Sequence, residues 1–412
     1  MRSFRVNKAP VILAEVLLLI GGMNAAWAQS LTPLFSIPLG DSSSTAYYPA
    51  ISAPGSANSS LAVAGAQVVD ISRRVVVKTL PEDNLQSLIV KDAIYSISDK
   101  GQTMRVYDLN TAQEIQKYDF IDNPYHLQTQ LMTKGADNIV SFVSNNLVNQ
   151  EFIETVVRRF RHDTGQQLPP YTLPLPGDSV FKHRNVKNVF GSIRSIFAPE
   201  DKPGVLYLAG SYSFDTNDIY LNSWADVIAE LSIDSATSEV SGVTYHVIDE
   251  RTSRTRPLML TSFTSYAKVC GKSLSLLGYN FNYPLPDDPM HQYNSLMEVT
   301  LPLFNISHIQ HTTNGKVYAQ QWSAAWSPDC HYVYLFNNEN HDSEGYQQKT
   351  SILQFDIVNK RFAKQMIRRD AGTYHIGDVT QCGNQSCLIT VWTGEKDWDP
   401  DSILEAYAIP WE

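Results

Sequence analysis

One short pattern returns along most of this chain: an apolar residue, a polar one, an apolar one, then a turn. It is clear at Val69-Asp70-Ile71-Ser72, Tyr107-Asp108-Leu109-Asn110, Phe160-Arg161-His162-Asp163, Leu231-Ser232-Ile233-Asp234 and Phe355-Asp356-Ile357-Val358. Weaker copies stand at Met297-Glu298-Val299-Thr300 and Ala406-Tyr407-Ala408-Ile409. The seven copies are spaced by roughly 40 to 70 residues. A unit repeated at that distance buries its apolar face against the next copy. Repetition of this kind therefore argues for one continuous solenoid or ring, although the length by itself suggests two or three domains.

Short strands precede each copy. In the sixth unit, residues 323–327 read as a strand, Pro328-Asp329 as a turn and residues 332–337 as the next strand. A polar loop follows, then a third strand over 351–357, a turn at Asn359-Lys360 and a fourth strand over 362–367. Apolar and polar residues alternate with turn residues between them, which marks strands and not helices. Four antiparallel strands per unit, repeated, make the blade of a β-propeller. The seventh unit runs out before a fourth strand, whereas Leu34-Phe35-Ser36-Ile37-Pro38-Leu39 belongs to no unit of its own. That segment is expected to close the ring as the missing strand, because an open ring leaves two unpaired edges.

Two stretches carry a family resemblance. "RVYDLNTAQEI" (105–115) and "AWSPDCHYVYLFNN" (325–338) resemble the WD-repeat and YVTN-type β-propeller superfamily of exported bacterial type. Tyr107-Asp108 stands where that superfamily has its Trp-Asp-like pair, and Ser327-Pro328-Asp329 matches its turn between the first two strands. The resemblance implies an all-β fold: a seven-bladed β-propeller of four-stranded antiparallel blades. It leaves function open.

The N-terminus predicts export. Arg2, Arg5 and Lys8 precede an apolar run from Val11 to Ile20, and Ala26-Trp27-Ala28 offers a small-residue cleavage site before Gln29. These are the three regions of a secretory signal peptide, and the run is too short to span a bilayer. An ordinary buried N-terminal helix is the alternative. The expected organisation is a signal peptide over 1–28 and one propeller domain over 29–412, exported to the periplasm of a Gram-negative bacterium or beyond, with no membrane insertion of the mature chain. Cleavage would remove three basic residues and one acidic residue from totals of 32 and 42. So acidic a chain, with no Lys/Arg cluster, is not expected to bind nucleic acid.

An even number of cysteines, four, fits an oxidising compartment. Cys270, Cys330 and Cys382 all fall at turns between the first and second strands of blades five, six and seven, so they gather on one face. Cys382 and Cys387 flank a four-residue hairpin turn, which leaves Cys270 and Cys330 as partners across adjacent blades. Free buried thiols are the alternative. Cys330 also stands where a turn wants Gly or Asn, and a staple between blades would explain the exception.

Signatures of hydrolases, zinc proteases, phosphate-binding loops and haem attachment are absent from the sequence, so no cofactor or catalytic residue is assigned. "ISDKGQTM" (97–104) partly matches an Asp-box but reads better as a simple turn. Asp397, Asp399 and Asp401 alternate as calcium ligands do, yet Pro400 stiffens the loop and Ser402 replaces the Gly that the turn needs. A solvated acidic loop is the alternative, and no metal is assigned. A second constellation lies at the channel mouth. Tyr125-His126 and Tyr374-His375 begin the innermost strands of blades three and seven, with His183, Arg184 and Trp322 near the equivalent places in blades four and six. Long loops around 282–294 and 337–348 rise on that same face, opposite the cysteines. Aromatic, His and Arg residues at a ring mouth make a recognition surface for a protein, glycan or small-molecule partner. Polar channel lining with no ligand is the bland alternative. The expected function is an exported, non-catalytic binding or scaffold module. The competing expectation is a periplasmic enzyme or enzyme subunit, such as a dehydrogenase partner or a lyase.

Overall fold

The structure, a computed structural model, describes residues 29–40, 50–51, 60–81, 84–98, 103–120, 132–135, 138–148, 152–182, 186–199, 202–215, 222–252, 261–281, 292–311, 324–338, 349–370, 372–394 and 402–411. Among these residues every regular element is a strand, and no helix is long and apolar enough to cross a membrane. The signal segment lies outside the described residues.

Seven antiparallel sheets follow one another along the chain, as blades spanning 50–79, 84–119, 132–173, 187–252, 261–311, 324–370 and 372–408. The fold is the expected seven-bladed β-propeller. Each copy of the recurring pattern ends the third strand of its blade, from Gln67–Asp70 in blade one to Ser402–Ala408 in blade seven. The reason for the recurrence lies in the turn that follows. In six blades a residue four or, in blade four, five positions past the strand end has positive φ: Arg74 (58°), Ala112 (57°), Gly165 (66°), Ser238 (60°), Phe304 (53°) and Lys360 (54°). In four of them its amide donates back to the carbonyl four residues earlier: Ala112 to Asp108, Gly165 to Arg161, Ser238 to Asp234 and Phe304 to Thr300. Where the strand ends in Asp, the carboxylate caps the turn. Asp108 Oδ1 accepts from the amides of Asn110 and Thr111 and from the Thr111 hydroxyl. In blade four Asp234, one residue past the strand, does the same for Ala236 and Thr237. These bonds favour the ionised carboxylate and hold both acids below their ordinary range.

The core is distributed over the junctions between blades. Seven apolar clusters each join two neighbours. Val63 and Val68 of blade one pack with Ile89 and Ile94 of blade two, and Val140 and Phe160 of blade three pack with Ile97 and Met104 of blade two. Strand Phe35–Gly40 pairs antiparallel with Ser402–Ala408, placing Phe35 opposite Ala406 and Ile37 opposite Leu404. The ring is therefore closed by the N-terminal strand, as expected. Its buried Ile37 and Leu39 pack against Ala62 and Ala64 of blade one and Ile389 of blade seven. A further pairing was not expected. Gln29–Ser30 runs parallel to Arg361–Asp370 as a fifth strand on blade six, and the Leu31 amide donates to Met366 O at 2.9 Å.

Both cysteine pairs stand at disulfide distance. Cys270 and Cys330 have Cα atoms 5.9 Å apart across blades five and six, and Cys382 and Cys387 have theirs 5.8 Å apart across one hairpin. Cys330 takes the left-handed conformation, φ 58°, and its amide donates to Ser327 O. Beside this link, Trp326 Nε1 donates to Ser275 Oγ at 3.1 Å.

Candidate functional site

Turns that join first to second strands and third to fourth strands share one face of a propeller. The cysteines occupy that face, and a cavity of about 480 Å³ opens on it between blades two and three. Lys91 and Asp92 form one wall, in the tight turn between Asn84–Val90 and Ala93–Ser98. The opposite wall is blade three's turn, His162 to Gly165, directly after Phe152–Arg161. Tyr95 lines the floor, and Ile115 and Gln116 line the rim from blade two's outer strand. The wall is locked to that strand. Gly165 O accepts from Gln116 Nε2 at 3.1 Å and from Tyr118 Oη at 2.8 Å. A Cβ at Gly165 would come within 2.5 Å of Gln116 Oε1, and the positive φ there disfavours any other residue as well.

His162 bridges the two walls. Its Nδ1 lies 3.1 Å from Tyr95 Oη, and its Nε2 lies 3.8 Å from Asp92. With Nε2–H turned to the carboxylate, Nδ1 accepts from the tyrosine. Burial pushes the His162 pKa down, and the positive charges of Lys91 and Lys134 add to this, while Asp92 and Asp163 oppose it. Burial raises Tyr95 to about 12, helped by the charges of Asp92 and Asp163. At neutral pH the pair is therefore a neutral imidazole and a neutral phenol. In those states the two side chains exchange a hydrogen bond.

The sequence reading did not find this cavity. The signal was present in the recurring pattern, whose third position holds Ile71, Leu109, Ile233, Val299, Ile357 and Ala408 in six copies but His162 in blade three.

Of the mouth residues, Tyr125, His126, His183, Arg184 and Trp322 lie outside the described residues, as do Asp397, Asp399 and Asp401. Tyr374 and His375 do begin the innermost strand of blade seven, Gly372–Cys382. Both are buried, at 0% and 4% exposure. In this conformation neither offers its side chain to a partner. Burial also lowers the His375 pKa to about 4, so its ring is neutral at physiological pH. Beside Tyr374, the buried Glu405 accepts from Arg369 of blade six and from Tyr407 Oη at 2.7 Å. The Arg369 guanidinium sits 4.7 Å from the Trp392 ring centre. This cluster pins blade six to blade seven, and its charges neutralise each other. Among the described residues no group of three or more His, Cys, Asp or Glu is arranged to hold a metal.

The chain's own sheets place it in the class of seven-bladed β-propellers. No family model matches the chain, and no curated protein matches it. Solved structures resemble it at low identity. Hydrazine synthase of Kuenenia stuttgartiensis is 13% identical with a TM-score of 0.48, over 76% of this chain and 77% of its own. The Cps50 (Swd1) β-propeller domain of Myceliophteria thermophila is 10% identical with a TM-score of 0.48, over 89% and 98%. Quinohemoprotein alcohol dehydrogenase of Comamonas testosteroni is 8% identical with a TM-score of 0.49, over 95% and 78%.

Proposed function

We propose that this chain is an exported β-propeller of the YVTN-like type that works as a non-catalytic binding module. One observation carries the binding reading: a preformed cavity of about 480 Å³ stands between blades two and three, lined by hydrogen-bonding side chains whose Tyr95 and His162 are already bonded to each other. Tyr95 is raised away from ionisation and His162 is lowered away from protonation. The rigid ring supports the same reading, since it holds loops and turns in place without a moving part. Two cysteine pairs at disulfide distance support export, because such links persist in oxidising compartments. A protein partner would meet the other face, around Tyr125, His126, His183, Arg184 and Trp322.

Two measurements test this. N-terminal sequencing of the protein recovered from the periplasm should begin at Gln29, and a folded product retaining Met1 overturns export. Pull-down with the mature chain, followed by assay of the captured partner with and without it, should show binding and no turnover by the propeller itself. A reaction catalysed by the purified chain alone overturns the non-catalytic reading.

A further inference from the structure

The cavity between blades two and three also limits what can occupy it. Its volume, about 480 Å³, falls in the range of small-molecule sites, about 300–1,000 Å³. A large part of its lining is polar and of mixed kind. Asp92 and Asp163 accept hydrogen bonds, Lys91 donates, and Thr164 does both. His162 and Tyr95 are bonded to each other at the back, so the floor is fixed before any ligand arrives. Ile115 stands at the rim with 61% of its surface exposed, an apolar ledge beside these polar groups.

Charge and hydrogen bonding sort the candidates. An anion would face the carboxylates of Asp92, Asp108 and Asp163 with Lys91 as the single formal cation of the lining. A simple organic cation would leave Lys91 opposed by like charge and the tyrosine and threonine hydroxyls without a use. A neutral polyhydroxylated molecule meets both demands. Each of its hydroxyls donates to a carboxylate and accepts from an ammonium or hydroxyl, and its C–H face rests on an apolar side chain.

We infer that this cavity is a binding site for a neutral saccharide, of the size of a mono- or disaccharide unit, at the face that carries the cysteines. The inference rests on the reading of the chain as a binding module and names the ligand class of that site. Asp163 and Lys91 are exposed turn residues, so they can be replaced with little effect on the core. Bidentate contact between a carboxylate and neighbouring sugar hydroxyls would make Asp163 the larger contributor.

The mature full-length chain should be screened on an array of neutral mono- and oligosaccharides, with glucose 6-phosphate and spermidine as charged probes. Hits should then be titrated by calorimetry. The expected result is binding of at least one neutral saccharide, weakened at least tenfold by Asp163→Ala and by Gln116→Ala. The melting temperature of Asp163→Ala should match the parent, which keeps loss of binding separate from loss of fold. Binding confined to spermidine or to glucose 6-phosphate overturns the inference, as does saccharide binding that Asp163→Ala leaves intact, or no binding at all by a folded chain. If saccharides fail while a protein partner is captured, the ligand class is wrong and the binding-module reading stands. Hydrolysis or oxidation of a bound sugar by the chain alone would instead sink that reading.

Discussion

Cys330 shows how one residue carries two opposed demands. Its φ of 58° is a conformation that costs a residue with a Cβ on the order of 1 kcal/mol relative to Gly. The link to Cys270 offsets this, since cross-links of this kind contribute about 2–4 kcal/mol. The two terms separate under reduction. In reductant, Cys330→Gly should be more stable than Cys330→Ala by about 0.5–1 kcal/mol, because Gly accepts the left-handed turn. Without reductant both variants should melt below the parent, as followed by circular dichroism. His375 makes a second prediction. Its folded pKa is about 4 against an ordinary value of 6.5, so the unfolded chain binds the proton first as the pH falls. The stability that the neutral buried ring represents is complete above pH 6.5 and is lost progressively between 6.5 and 4, by on the order of 3 kcal/mol. His162 is shifted in the same direction. Urea midpoints measured across that window should decline, and His375→Gln should flatten the decline. A variant with the parent's slope would place the acid sensitivity elsewhere.

At the scale of elements, the N-terminal segment works harder than its length suggests. Gln29–Ser30 adds an edge strand to blade six, and Phe35–Gly40 completes blade seven. Eleven residues, 30–40, thus cover two sheet edges and bury Ile37 and Leu39 at the junction with blade one. Their deletion should expose those edges and produce aggregation or a large fall in melting temperature, read by light scattering and calorimetry. A truncated chain that melts like the parent would mean that the ring closes without them. The closing strand was legible because it is an apolar alternation that no blade claims. The parallel pairing of Gln29–Ser30 was not, because two polar residues carry no period, and their partner is chosen by where residues 31–34 deliver them.

For the whole molecule, stability is spread around a circle. Each apolar cluster belongs to two blades, so no blade owns a complete core and the ring is expected to hold or fail together. The same arrangement makes the junctions the natural places for cavities. The described one forms where blade three's turn sets His162 beside Tyr95 of blade two, so polar groups line the junction. The face that loop length favoured and the face that bears this cavity are different ones. Loop length measures how much chain is available on a face, whereas a cavity depends on how two neighbouring turns fail to fill the space between them.

Local pattern determined the blades, because the alternation within strands and the turns between them are properties of a few consecutive residues. Asp108 and Asp234 are readable as turn caps from their place in the sequence alone. The cysteine pairing followed once the blades were numbered, since equivalent turns stand side by side in a ring. What tertiary structure decided was every relation across a junction. Tyr374 and His375 read as polar mouth residues, yet both are buried, Tyr374 beside Glu405 and Arg369 at the junction of blades six and seven. Tyr95 and His162 stand 67 positions apart and read as unrelated, yet the ring brings Oη within 3.1 Å of Nδ1. Burial and long-range contact depend on the distance between neighbouring blades, and no local stretch of sequence contains that distance.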